Sequence, residues 1–193
     1  MTQLSILIRS LANRQQKLDH LLRSLYIQIL ALEPNKAAQV EILTDIDNKE
    51  VTSGAKANRL LDKSRGKYVC FIDDDDHIYP HYVEMILEGC KSDADCIATS
   101  GHYTQDGSAK KLWKLSKDYH DHDAFDGNEI VLFRRANHLT PIKREYAIKA
   151  RFPDLSKAED KEYSARVNQY LKTEYKIDKP LYHYDYSSSN KEY

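Results

Sequence analysis

The run Lys67 to Ile72 (KYVCFI) stops at four consecutive aspartates, Asp73 to Asp76. A short apolar run without polar alternation reads as a buried strand, which needs layers packed on both sides of its sheet. Four carboxylates cannot continue into such a core, so the strand ends where they begin. The chain therefore folds around a strand whose last act is to expose acid.

Upstream, the pattern repeats. Leu4 to Ile8 (LSILI) reads as a first strand, and Leu18, Leu21, Leu22, Leu25 and Ile29 give a helix after it. Pro34 and Asn35 end that helix, and Val40 to Thr44 is a second strand that leaves Asp45 just past its end. After a loop over Asn48 to Gly54, Ala55 to Leu61 begins a helix closed by Ser64 to Gly66. Beyond the aspartates, Pro80 opens a helix with Val83, Ile86 and Leu87 on its buried face, and Asp95 to Ser100 is a fourth strand. Alternating strands and helices predict an α/β fold with a mostly parallel sheet covered on both faces.

The later residues carry weaker signals. His102 to Gly127 is polar, with lysines around Trp113 and an acid–histidine stretch, Tyr119 to Asp126, read as a loop near an acceptor opening or a second metal site. Ile130 to Phe133 is a strand, Lys143 to Ile148 a helix, and Ala158 to Leu171 a longer helix. Tyr175 to Ile177 and Leu181 to Tyr184 are short extended segments. With no linker or repeat, residues 1–193 read as one domain, its nucleotide-binding part about 1–100 and its acceptor part about 101–193.

Composition excludes more than it selects. A net charge of −1 gives no whole-molecule attraction to nucleic acid or anionic membrane. Cys70, Cys90 and Cys96 lack paired ligand spacing, which suits buried thiols in a reducing compartment. No apolar run reaches about 18 residues, so the expectation is a cytoplasmic protein without stable membrane insertion. Neither a strand–GxGxxG–helix nor a Walker loop is present.

Ligands of open α/β sheets gather beyond the carboxyl ends of the strands, where Asp45 and the aspartate run both fall. Clustered carboxylates repel one another, a cost that a bound cation offsets, and oxygen donors suit magnesium or manganese. In an extended segment Asp73 and Asp75 face one side, Asp74 and Asp76 the other. Alternation alone does not say which pair meets the ligand.

The segment GKYVCFIDDDDHIYPHY resembles the central signature of the family-two, GT-A-fold glycosyltransferases: a strand, D-x-D with a further aspartate, then a proline before the next helix. Gly54, Lys56 and Asn58 upstream follow the same layout, and Phe152 to Arg166 (FPDLSKAEDKEYSAR) is similar to that family's acid-pair region. The resemblance implies a Rossmann-type three-layer sandwich that binds a nucleoside-diphosphate sugar, a UDP-sugar favoured, with Mn2+ or Mg2+. It places Asp45 at the base, Asp73 near the ribose and metal, and Asp75 on the metal, with Asp74 and Lys56 in the donor site. Asp160 becomes the base that deprotonates an acceptor hydroxyl, with Glu159 as the fallback; acids that merely favour a helix start are the alternative.

Arg166 can order Glu159, meet a phosphate or form a surface salt bridge, and His183 is either a third metal ligand or no ligand. Lys143 and Arg144 meet diphosphate or acceptor, or simply start a helix. Arg9 stands where relatives often have proline or threonine, and the Gln/Arg-x-x-Arg-Trp signature of processive relatives is missing. The expected activity is metal-dependent, inverting transfer of one hexose to a hydroxyl. The acceptor (glycan, protein, lipid or modified DNA) stays open, as does assembly into a homo-oligomer. Nucleotidyl or phosphoryl transfer and a noncatalytic nucleotide-sugar- or glycan-binding domain are the competing readings.

Overall fold

The computed structural model describes residues 1–127 and 129–188. Strand β1 (Leu4–Leu11) leads into helix α1 (Gln15–Leu30), the single turn α2 (Pro34–Ala37), β2 (Val40–Asp47), α3 (Ser53–Lys63) and β3 (Tyr68–Phe71). Then follow β4 (His77–Ile78), α4 (Tyr82–Cys90), β5 (Cys96–Gln105), β6 (Lys111–Ser116), β7 (His122–Asp126) and β8 (Glu129–Arg135). The short β9 (Ile142–Lys143), α5 (Arg144–Ala150), α6 (Glu159–Val167) and β10 (Glu174–Tyr186) complete the order.

Strands β2, β1 and β3 are parallel neighbours. The two-residue β9 runs antiparallel to both β3 and β5, so β5 points the same way as β3, and β10 pairs parallel with β5. The long central strands are thus mostly parallel, and β6, β8 and β7 extend the sheet beyond β5. Side-chain parity splits the core in two. Leu4, Ile6, Ile8, Cys70 and Ile72 face α1 and α4, with Leu18, Leu21, Leu25, Val83 and Ile86. Leu7, Val69 and Phe71 face the opposite layer with Leu60 of α3, Ala147 of α5 and Tyr163 of α6. The result is the expected three-layer α/β sandwich.

The differences from the sequence reading have local causes. Strand β2 runs to Asp47, so Asp45 lies inside it, opposite Arg9. Helix α4 starts after Pro80, at Tyr82, because His77–Ile78 first pairs with β10. The polar stretch after residue 102 carries strands: β5 continues to Gln105, and β6 buries Trp113, Leu115 and Ser116 while Lys111, Leu112 and Lys114 stay half-exposed. The acid–histidine stretch supplies the edge strand β7, where His122 stacks on Phe133 and Asp123 pairs with Arg134. The two late segments are one strand, β10, whose register shifts around Pro180 interrupt the pattern.

Asp95 fastens the start of β5 to the entry of β10: its Oδ2 accepts the N–H groups of Lys172 and Thr173 at 2.9 and 3.0 Å. Burial raises its pKa, but these bonds and Lys143 outweigh that and hold the carboxyl below its usual range. A depressed folded pKa contributes stability above the unfolded value, about 4, and loses it as pH falls. Asp95→Asn should cost about 2 kcal/mol at neutral pH. In urea unfolding at a series of pH values, the gap from wild type should narrow below about pH 4.

Candidate active site

The parity that divides the core also aims the residues at the strand ends. Leu7 pairs with Phe71, so two residues on, Arg9 stands level with Asp73 and continues the face that packs on α3 and α6. Its guanidinium lies 5.5 Å from the Phe71 ring centre and 5.7 Å from that of Phe152. Nη1 donates to Ser53 Oγ at 2.9 Å and Glu159 Oε1 at 3.1 Å; Nη2 donates to Asp73 Oδ1 and Asp160 Oδ1, each at 3.3 Å. The side chain is 10% exposed. Burial works against its charge, and Asp160, Asp73 and Glu159 more than restore it, so Arg9 is held above its ordinary pKa.

Ser10 and Asp74 continue the other face. Asp74 is buried, accepts from Ser10 Oγ at 2.5 Å and meets Arg14 at 2.5 Å. Burial, with repulsion from Asp75 and Asp73, pushes its carboxyl up to about 6 against the pull of Ser10 and Arg14. The extended alternation then stops, because the Asp76 N–H bonds back to the Asp73 carbonyl at 3.1 Å and the chain turns. The turn swings Asp75 onto Arg14 at 2.6 Å and Lys17 at 3.6 Å, partners on Asp74's side rather than Asp73's. Asp76 is buried beneath, accepting from the Tyr182 hydroxyl at 2.7 Å and the Asp185 N–H at 3.3 Å. Burial and the neighbouring Asp73 push its carboxyl well up. Asp73 and Asp75 are the members that keep solvent contact, at 34% and 23% exposure.

Helix α3 builds the opposite wall. Thr52 Oγ1 caps it by accepting from the Ala55 N–H at 3.0 Å. Gly54 donates its N–H to the Leu155 carbonyl at 2.9 Å, so close to the backbone that a Cβ there would lie 1.8 Å from the Pro153 oxygen. Asn58 exchanges two hydrogen bonds with the Phe152 backbone, at 2.9 and 3.0 Å. Lys56 is buried, bonded to the Ser10 carbonyl at 2.8 Å and paired with Asp47. Gly54 and Asn58 fasten the segment from Phe152 to Leu155 onto α3, and that segment leads to the acid pair at the start of α6. Glu159 is buried on Arg9; Asp160 is half-exposed.

One further residue completes the centre. His138, buried in the loop before β9, has Nε2 3.4 Å from Asp73 Oδ2 and Nδ1 3.4 Å from Asp160 Oδ1. Burial opposes its protonation, but Asp160 and Asp73 raise its pKa above the ordinary value. With Arg9 it outweighs the burial of Asp73 and holds that carboxyl well below the usual range.

These groups open on a cleft of about 710 Å³ whose lining includes Lys56, Asp73, Asp74, Asp75, Glu159 and Asp160. Five expected residues do not line it. Asp45 is gripped by Arg59 at 2.8 and 2.9 Å because β2 extends past it. Arg166 lies on the exposed face of α6, paired one turn back with Glu162 at 3.0 Å. His183 is held by Thr104 at 3.0 Å and stacks on Tyr79. Lys143 pairs with Asp93, and Arg144 bonds Ser64 and the Leu61 carbonyl, so both tie structure together away from the cleft. Among the described residues no group of three His, Cys, Asp or Glu side chains is disposed to hold a metal ion.

Arg9, Arg14, Asp47 and His138 did not figure among the expected site residues. Arg9 had a signal, a charge at a core-facing position of a strand; His138 had none.

A strand-end carboxylate turn thus faces an acid pair across one cleft of an α/β fold. The family model of Glycosyl transferase family 2 matches residues 36–150, and the chain belongs to that family. EpsH of Bacillus subtilis (strain 168), which carries a glycosyltransferase name, is 26% identical over 145 residues, 68% of this chain and 41% of EpsH. S. aureus TarS 1–349 in complex with UDP superposes with a TM-score of 0.70 at 15% identity, covering 95% of this chain and 60% of that one. The TarS complex with UDP-GlcNAc gives 0.68 at 13% identity, covering 95% and 58%. The chain thus spans 41% of EpsH and 58–60% of the TarS 1–349 chains. No helix among the described residues is long and apolar enough to cross a membrane.

The α3 contacts can be tested directly. Gly54→Ala should force helix and segment apart and lower stability by about 1–3 kcal/mol. Asn58→Ala, which strands the Phe152 N–H and carbonyl, should cost about 2 kcal/mol. Thermal unfolding of both variants checks this.

Proposed function

We propose that the protein transfers a hexose from a nucleoside-diphosphate sugar, a UDP-sugar favoured, to an acceptor hydroxyl with inversion. The observation that carries this reading is the opening of Asp73, Asp75 and Asp160 on one cleft of about 710 Å³. The fold likeness to TarS, solved with UDP and with UDP-GlcNAc, supports the donor class.

The donor half is the region of about residues 1–100, with Asp73 and Asp75 toward the diphosphate and Asp74 and Asp76 holding the turn. The carboxylates fit Mg2+ or Mn2+ in kind, since such ions take one or two carboxylates and complete their shell with phosphate and water. Asp73 and Asp75 would hold the ion; His183, fixed outside the cleft, is not assigned to it. When bound, the ion neutralises charge growing on the leaving diphosphate. Arg14 beside the aspartate turn and Lys56 on the opposite wall add fixed positive charge to the cleft.

The acceptor oxygen attacks the anomeric carbon from the face opposite the diphosphate, the bond to the diphosphate breaks, and the acceptor proton passes to Asp160. Arg9 and His138 both contact Asp160 through Oδ1, which leaves Oδ2 for that proton. Glu159, buried on Arg9, supports the pair rather than reaching substrate.

A panel of nucleotide sugars titrated with and without Mn2+, followed by mass detection of products, tests the reading. UDP-sugar binding should weaken at least about tenfold when the ion is chelated. Asp160→Asn should still bind nucleotide while transfer falls about 100-fold or more. Unchanged turnover would reject Asp160 as base, and donor binding without transfer to any acceptor would indicate a binding domain.

A further inference from the structure

Arg9, which lines the cleft, and His138, buried behind it and part of no motif, together close a ring of charge with Asp73 and Asp160. Arg9 Nη2 is 3.3 Å from Asp73 Oδ1 and 3.3 Å from Asp160 Oδ1. His138 reaches Asp73 Oδ2 and Asp160 Oδ1, each at 3.4 Å. Each basic group touches both carboxylates, and each carboxylate touches both basic groups.

The four residues come from four places in the chain: the end of β1, the turn after β3, the loop before β9 and the first turn of α6. Two carboxylates repel, so the basic groups supply the attraction that sets these segments against one another. Both are held in place. Arg9 packs against the edge-to-face pair of Phe71 and Phe152 rings, and the His138 carbonyl accepts the Phe71 N–H at 2.8 Å.

We propose that Arg9 and His138 are positioning residues that lock Asp160 to Asp73, so that binding at the donor carboxylate is felt at the base. The inference rests on the donor and base roles assigned above. When Asp73 engages an ion or a ribose, its hold on the two basic groups loosens, and both draw more on Asp160. Linkage is reciprocal. Neutralising Asp160 throws both groups onto Asp73, where they compete with the ion.

Two measurements on the full chain test the proposal. The first needs no ligand: a thermal-unfolding cycle of Asp73→Asn, Asp160→Asn and the double variant, in the native chain and with His138→Gln. In the native chain the double variant should lose about 3 °C more than the sum of the singles. With His138→Gln that excess should shrink by about half or more. Additivity in the native chain overturns the proposal, as does an excess that His138→Gln leaves unchanged, because the carboxylates would then act on each other directly.

The second measurement is titration of UDP with Mn2+. Asp160→Asn should weaken binding about threefold or more in the native chain and less than about twofold in His138→Gln. An equal loss in both backgrounds overturns the proposal. Failure of UDP to bind the unaltered chain would reject the donor reading instead, and the unfolding cycle would still decide the bridge.

Discussion

A guanidinium with 10% exposure at the end of the first strand is the interaction around which the cleft is organised. Taking such a charge out of water costs several kcal/mol unless partners surround it. Arg9 meets the condition with Asp73, Glu159, Asp160, the Ser53 hydroxyl and two aromatic rings. Those partners lie on β3, α3, α6 and the segment before α6, so satisfying one side chain brings distant stretches of chain to one point. The parity of β1 makes this unavoidable: Arg9 continues the face of Leu7, and Ser10 continues the face of Ile8. One strand therefore serves the acid pair with one residue and the buried Asp74 with the next.

The opposite wall has a comparable economy. Along α3, Gly54 and Asn58 hold the two ends of the Phe152–Leu155 segment, while Lys56 between them meets the ends of β1 and β2. Gly54 is present because backbone passes where a side chain would stand. Asn58 is present because an amide can both donate to the carbonyl and accept from the N–H of one residue, here Phe152. None of the three needs to touch substrate to matter, since together they fix where Glu159 and Asp160 emerge.

The parts of the fold written in local periodicity were legible. The first three strands, α1, α3 and the end of β3 at the aspartates follow from apolar spacing that burial on two faces imposes. What failed depended on partners far away in sequence. Asp75 could not be oriented from alternation, because the turn after Asp74 is closed by a hydrogen bond and by Arg14. Strands β6 and β7 lie toward a sheet edge with one face in solvent, so their apolar pattern is thin. Pro180 split β10 into two apparent segments. His138 sits in a loop without period, and its importance comes from two carboxylates 65 and 22 residues away along the chain.

The attachment of Asp76 to Tyr182 and Asp185 has a temporal side. The aspartate turn follows the third strand, but two of its anchors lie more than 100 residues later. During synthesis the early strands and helices can pair while the turn still lacks its support. At elongation rates of about 5–20 residues per second, that interval is on the order of 5–20 s. Until then Asp76 has neither the Tyr182 hydroxyl nor the Asp185 N–H to satisfy its carboxylate. Pairing of β10 with β5 and β4 thus brings in the support that secures the aspartate turn, so the turn is pinned only once residues far along the chain are in place.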